Sequence, residues 1–160
     1  MPHDPEMFGV DHLDDFRVAY EGEVAGEVYF ATMASWHTGD ARHALGLFAQ
    51  VERITSTALR PVVLELGVTV ADDATLRQRG IENAEAERTL SWDELVIDMC
   101  EHYPRYVREF ERMLAISPPQ YRAAAQLMLD HEVALVDAAQ LLRDGMPNAL
   151  QPVIAFIERG

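Results

Sequence analysis

The chain has 160 residues, 49% of them hydrophobic, enough to bury one sizeable core and most simply a single domain spanning residues 1 to 160. Its formal net charge is -14, and all 13 basic residues are arginine. That balance argues against nucleic acid and anionic membrane surfaces as partners, and the missing lysine excludes a Schiff-base, pyridoxal or P-loop lysine. No nucleotide or pyridoxal cofactor is therefore expected. The single cysteine, Cys100, cannot close an intramolecular disulfide and fits a reducing compartment. No apolar run approaches the roughly 20 residues that span a bilayer. Met1 to Glu6 carries acids and prolines where a signal peptide would have basic residues and an apolar run, so a soluble cytoplasmic protein is expected.

Residues 1 to 8 read as a loosely held arm. From Val10 to about His37, the line Leu13, Phe16, Tyr20, Val24, Glu27, Ala31, Ala34 has helical spacing and predicts a first helix over 10–37. Glu23 lies one turn before Glu27 and shares much of its face. Gly22 and Gly26 weaken this helix by about 1 kcal/mol each but permit close approach by another helix. Thr38-Gly39-Asp40 is a short break with Asp40 as a natural N-cap, which predicts an antiparallel second helix over 41–66. Its stripe is Leu45, Phe48, Glu52, Thr55, Leu59, Val62, and Glu52 stands among apolar neighbours. Pro61 should kink its last turns, and Gly67 should stop it.

Residues 67 to 90 break the pattern and predict a long crossover carrying a short surface helix. Val68-Thr69-Val70 reads as extended. Ser91-Trp92-Asp93-Glu94 is a capping box that opens a third helix over 91–115, with the seam Trp92, Leu95, Met99, His102, Tyr106, Phe110, Met113. Pro104 should bend it and leave the carbonyl of Cys100 without its usual donor. Ser117-Pro118-Pro119 stops that helix and starts a fourth over 119–143. Its seam runs through Tyr121, Ala124, Met128, His131, Leu135, Ala138 and Leu142, and Gly145 ends it. A short C-terminal helix should follow, with Val153, Ile154, Phe156 and Ile157 packing on the bundle or on a second subunit. The fold class expected is all-α: two helix pairs joined by a crossover.

The polar residues on these seams share a depth. Glu27 and Glu52 lie about equally far from the first tight turn, roughly 17 to 21 Å at 1.5 Å per residue. His102 and His131 match likewise around the second turn, with Glu101 and Glu132 beside them. Carboxylates with imidazoles suit iron, manganese or zinc, and an open position on such a metal activates water or oxygen. Each residue also has a plainer reading. A seam histidine can be a hydrogen-bonded core residue, and a seam glutamate can pair with Arg53 or Arg105. Tyr20 and Tyr106 are candidate hydrogen-bond donors facing the site, or simply core. His131-Glu132 begins like a zinc-protease motif, but Leu135 stands where the second histidine would be.

With these residues in place, the chain resembles the ferritin-like superfamily, which includes rubrerythrins, bacterioferritins and di-iron carboxylate oxygenases, over roughly residues 10 to 143. The resemblance rests on the pair, crossover, pair layout, on Glu27, Glu52 and His131-Glu132 in mid-helix, and on Phe30-Ala31-Thr32-Met33-Ala34. It implies a ferritin-like four-helix bundle and a non-haem iron or manganese oxidoreductase. The family's Glu-x-x-His motif is incomplete on both helices that should carry it: Thr55 follows Glu52, and Met128 precedes His131. What the resemblance then implies is one metal on Glu27, Glu52 and His131, with His102 or Glu101 from the third helix. The alternative it leaves is a metal-free bundle that binds a small molecule in its core or acts as a dimeric scaffold. A homodimer is expected because symmetric pairs are common.

Overall fold

The computed structural model describes residues 12 to 160, with His12 known by its backbone alone; the predicted arm and the helix start at Val10 lie outside them. Among the described residues the chain is helical and forms no strand. Helices α1 (His12–Trp36) and α2 (Gly39–Leu66) form the first pair, α3 (Asp73–Ala86) lies in the crossover, and α4 (Trp92–His102) and α5 (Pro104–Ile116) run in succession. A 3-10 turn at Pro119–Tyr121 leads into α6 (Arg122–Arg143), and α7 (Gln151–Arg159) closes the chain.

The bundle core is built from lines of apolar residues. On α2, Leu45, Phe48, Glu52, Thr55 and Leu59 are buried, as the stripe predicts, while Val62 at its end is half-buried and Val63 is buried instead. Pro61 is accommodated within α2, which ends at Gly67, φ +67, where a side chain would strain the left-handed backbone. Thr38 rather than Asp40 is the N-cap residue of α2, and Asp40 falls in its first turn, where a carboxylate still favours the helix dipole. The capping box forms as expected, with Ser91 and Glu94 each satisfying the other's backbone N–H.

One predicted seam is displaced by one position over much of its length, and another departs at a single residue. On α1 the buried line is Phe16, Ala19, Glu23, Gly26, Phe30, Met33, whereas Tyr20, Val24 and Glu27 are only half-buried and Ala31 is exposed. The cause is a second buried face. Ala25, Val28 and Tyr29 are covered by α3, so apolar residues surround most of the helix and blur its period. The third predicted helix is two helices. Pro104 breaks it at Tyr103, which turns inward, while His102 turns out to solvent.

The crossover helix is more than a surface feature. Leu76, Gly80 and Ala84 are buried on α1. A Cβ at Gly80 would sit 2.4 Å from the carbonyl oxygen of Ala25 and 2.8 Å from Cβ of Val28. Glu21 on α1 accepts from the backbone N–H of Ala71, and the Tyr29 hydroxyl donates to Glu87. The tail packs within its own chain: Val153 and Phe156 of α7 are buried, and α7 lies on α6 and α2. No helix among the described residues is long and apolar enough to cross a membrane.

The contact at Gly80 yields a prediction with a decided sign. Gly80→Ala gains up to about 1 kcal/mol of helix propensity. The clash is with backbone, which yields at a cost of about 1 to 3 kcal/mol. The variant should unfold at lower urea than the parent, and a stabilised variant would mean that α3 does not pack through this residue.

Candidate metal centre

Four polar residues meet inside the bundle. Glu23 comes from α1, Glu52 from α2, and His131 and Glu132 from α6, and each is at most 5% exposed. One ligand atom each from Glu23, Glu52 and His131 lies within 4.8 Å of the others. Nε2 of His131 is 3.1 Å from Oε2 of Glu23 and 3.4 Å from Oε2 of Glu132. Among the described residues no arginine pairs with any of the three carboxylates.

The orientation of His131 is set by its own helix. Nδ1 lies 2.5 Å from the carbonyl oxygen of Met128, one turn earlier. A carbonyl can only accept, so Nδ1 donates, and this bond turns Nε2 toward the glutamates. Phe110 and Phe156 flank the imidazole with ring centroids at 5.6 and 6.5 Å, and they exclude water from it. Glycine makes the room for Glu52: a Cβ at Gly26 would stand 3.0 Å from both Cδ and Oε2 of that side chain.

The electrostatics follow from burial. Desolvation raises Glu23 to about 8, with the charge of Glu132 adding to the shift and a hydrogen bond with Glu52 opposing it. Glu132 is also raised to about 8 by desolvation, with His131 opposing and Glu52 adding. Burial, and then the charge of Glu23, hold Glu52 well above the usual carboxylate range. Oε2 of Glu23, Nε2 of His131 and Oε1 of Glu132 are buried without a hydrogen-bond partner. Glu23 and His131 thus touch at 3.1 Å without a hydrogen bond between them. Ligand-type atoms this close to one another and left unsatisfied make the cluster a candidate site for a cation.

The sequence-predicted residues divide cleanly. Glu52 and His131 are in the cluster, as are Glu23 and Glu132, which the sequence offers as neighbours of the first choices. Glu27 is not: it turns toward α2's outer face, with Oε1 2.9 Å from Nε of Arg53. His102 is exposed and pairs with Asp98 at 3.0 Å, and Glu101 is exposed beside it. Tyr20 is half-buried at the core margin, and Tyr106 is buried edge-on to Tyr103 at 5.9 Å. Tyr103 escapes the sequence reading, whereas Gly26, read there as permitting close approach by another helix, makes room for Glu52 of α2. Thr55 and Met128 are buried in the positions where the ferritin-like motif would place histidine and glutamate, and the Thr55 hydroxyl is spent on the carbonyl of Val51. No protein family, curated protein or solved structure matches the chain.

These carboxyls tie stability to pH in the metal-free protein. Each holds its proton in the fold up to about pH 8 in the case of Glu23 and Glu132, but releases it near 4.5 when unfolded. Between those values the folded state binds more protons, so stability is complete below the unfolded value and is lost as pH rises through the folded one. Chelator-treated protein should lose about 4 °C or more in Tm between pH 5 and 8, the effect of roughly 1 to 2 kcal/mol in a chain of this size. Glu132→Gln should flatten that slope. A Tm that rises over the same interval would refute the assignment.

Proposed function

We propose that this is a ferritin-like protein holding one divalent metal, iron or manganese, on Glu23, Glu52 and His131, for non-haem oxidoreductase chemistry. The observation that carries the reading is the convergence of those ligand atoms within 4.8 Å in a buried site. The donor set fits the metal. Two carboxylate oxygens and one imidazole nitrogen suit iron, manganese and zinc. The hydrogen bond from Nδ1 of His131 to Met128 is the outer support that metal-bound imidazoles use to fix their tautomer. The pair, crossover, pair order of helices supports the ferritin-like part of the proposal.

When bound, iron or manganese would supply one-electron chemistry that these side chains lack. The chain's own residues bind, orient and seal. Glu23 and Glu52 lose their protons to become anionic ligands, which makes metal uptake release protons and strengthen with pH. Glu132 lies beside His131 with one oxygen unsatisfied, placed to keep a proton next to the metal or to join it. Phe110 and Phe156 keep water from the imidazole.

A second reading is favoured by one contact, the hydrogen bond between the carboxyls of Glu23 and Glu52, which needs a shared proton. There the cluster is neutralised by protons alone, and the bundle is a metal-free binding or dimeric scaffold module. The tail, packed within its own chain, gives that dimer no support.

Elemental mass spectrometry of untagged protein from iron- and manganese-supplemented cells separates the two. The first reading expects close to one metal per chain in the parent and none in Glu52→Gln. Absence of metal in both, with Glu52→Leu as stable as the parent or more so, would establish the second. Gly26→Ala divides folding from binding. Its Cβ meets the flexible end of Glu52, so the fold should persist at nearly the parent Tm while metal affinity falls about tenfold, the effect of roughly 1.4 kcal/mol.

A further inference from the structure

A cluster of three buried carboxyls resists its own assembly. Glu23 reaches Glu52 and His131 only from the place that α1 holds between α2 and α3. The inner face of α1 meets α2 through small residues beside Glu23, Gly26 and Ala19, and through Phe30 one turn further on, with its ring centroid 5.5 Å from that of Phe48. The opposite side of α1 is covered by α3.

The contacts of α3 and its lead-in fall on the segment that bears the site. Glu21 of α1 accepts from the Ala71 N–H at 2.9 Å and meets Arg79 of α3 at 3.5 Å. Gly80 packs against the carbonyl of Ala25 and the side chain of Val28. Beyond them the hydroxyl of Tyr29, a buried phenol held protonated by desolvation and by the charge of Glu87, donates to Glu87 at the C-cap of α3. Glu21 and Tyr29 are eight residues apart, about 12 Å along the helix, and Glu23 and Gly26 stand between them.

We propose that the crossover helix α3 is a clamp that positions Glu23 against Glu52 and His131, with Tyr29 and Glu87 as its positioning residues. Neither residue touches the metal; both act through the place of α1. The metal reading above is needed only for the affinity half of the test.

The experiment uses the full chain as Tyr29→Phe, Glu87→Gln and the double variant, with Leu95→Ala on α4 as a control that destabilises the core elsewhere. Cobalt(II) is the probe, for its visible absorption and its taste for mixed oxygen and nitrogen ligands. Each single variant should bind cobalt(II) about tenfold more weakly, as for loss of one hydrogen bond to a charged group. The double variant should be no weaker, and its absorption band should shift. Leu95→Ala should keep the parent affinity and band. In the metal-free state, amide exchange over residues 22 to 28 of α1 should quicken in the clamp variants and stay as in the parent in α6. Exchange that quickens only in α3 would overturn the clamp, whether or not cobalt binds. Parental affinity in both single variants would overturn it too. A parent that binds no cobalt would instead count against the metal reading, and the exchange result would still decide the clamp.

Discussion

Everything in this bundle answers to the cost of burying Glu23, Glu52 and Glu132 together. A lone carboxylate moved from water into a protein interior is heavily penalised, and three within reach of one imidazole are penalised again by mutual repulsion. The fold meets this in two ways. It lets the carboxyls keep protons, with Glu23 and Glu132 raised to about 8, and it supplies an imidazole whose Nε2 faces them. Protons and a metal are then competing solutions to one electrostatic problem. The unsatisfied atoms on Glu23, His131 and Glu132 show that protons solve it incompletely.

The rest of the architecture can be read as support for that arrangement. Gly26 is the hole into which Glu52 fits, and its cost in helix propensity, about 1 kcal/mol, is offset by the room it leaves for that carboxyl. The break at Tyr103 lets two short helices, rather than one straight one, cover α6. This brings Phe110 against His131 while Tyr103 and Tyr106 fill the core further along. The tail completes the enclosure by setting Phe156 on the other side of the imidazole.

The helices and their order were legible because helical periodicity, the Ser91–Glu94 box and the stops at Gly67 and Gly145 are local signals. The α2 stripe was read correctly down to Glu52, since α2 packs a single main face. The errors lie where two phases fit equally well. Steps of 3 then 4 from Met99 give His102 and Tyr106, and steps of 4 then 3 give Tyr103 and Tyr106; only the break before Pro104 chooses between them. The choice of Glu27 over Glu23 has the same origin, made worse by the second buried face of α1. A packing partner 50 residues away, such as Ala71 for Glu21, leaves no trace in a local period. Equal depth along the helices says nothing about rotation, and it admitted His102, which faces solvent.

That distinction bears on how an incomplete motif should be weighed. Thr55 and Met128 are not donors where the Glu-x-x-His pattern would have them, so that pattern alone does not mark the site. Buried carboxyls are costly, and apolar side chains of similar size would relieve desolvation. Three carboxyls and a histidine nevertheless stand in the core, and Glu132 lies next to the histidine, outside the Glu-x-x-His spacing altogether. Thr55 has meanwhile turned its hydroxyl to the carbonyl of Val51, and Met128 lends its own carbonyl to orient His131. These two positions thus serve the helices that carry the cluster. Buried polar groups held at such cost, with Thr55 and Met128 hydrogen-bonded into their surroundings, describe a cluster supported by the fold around it rather than one stranded in the core.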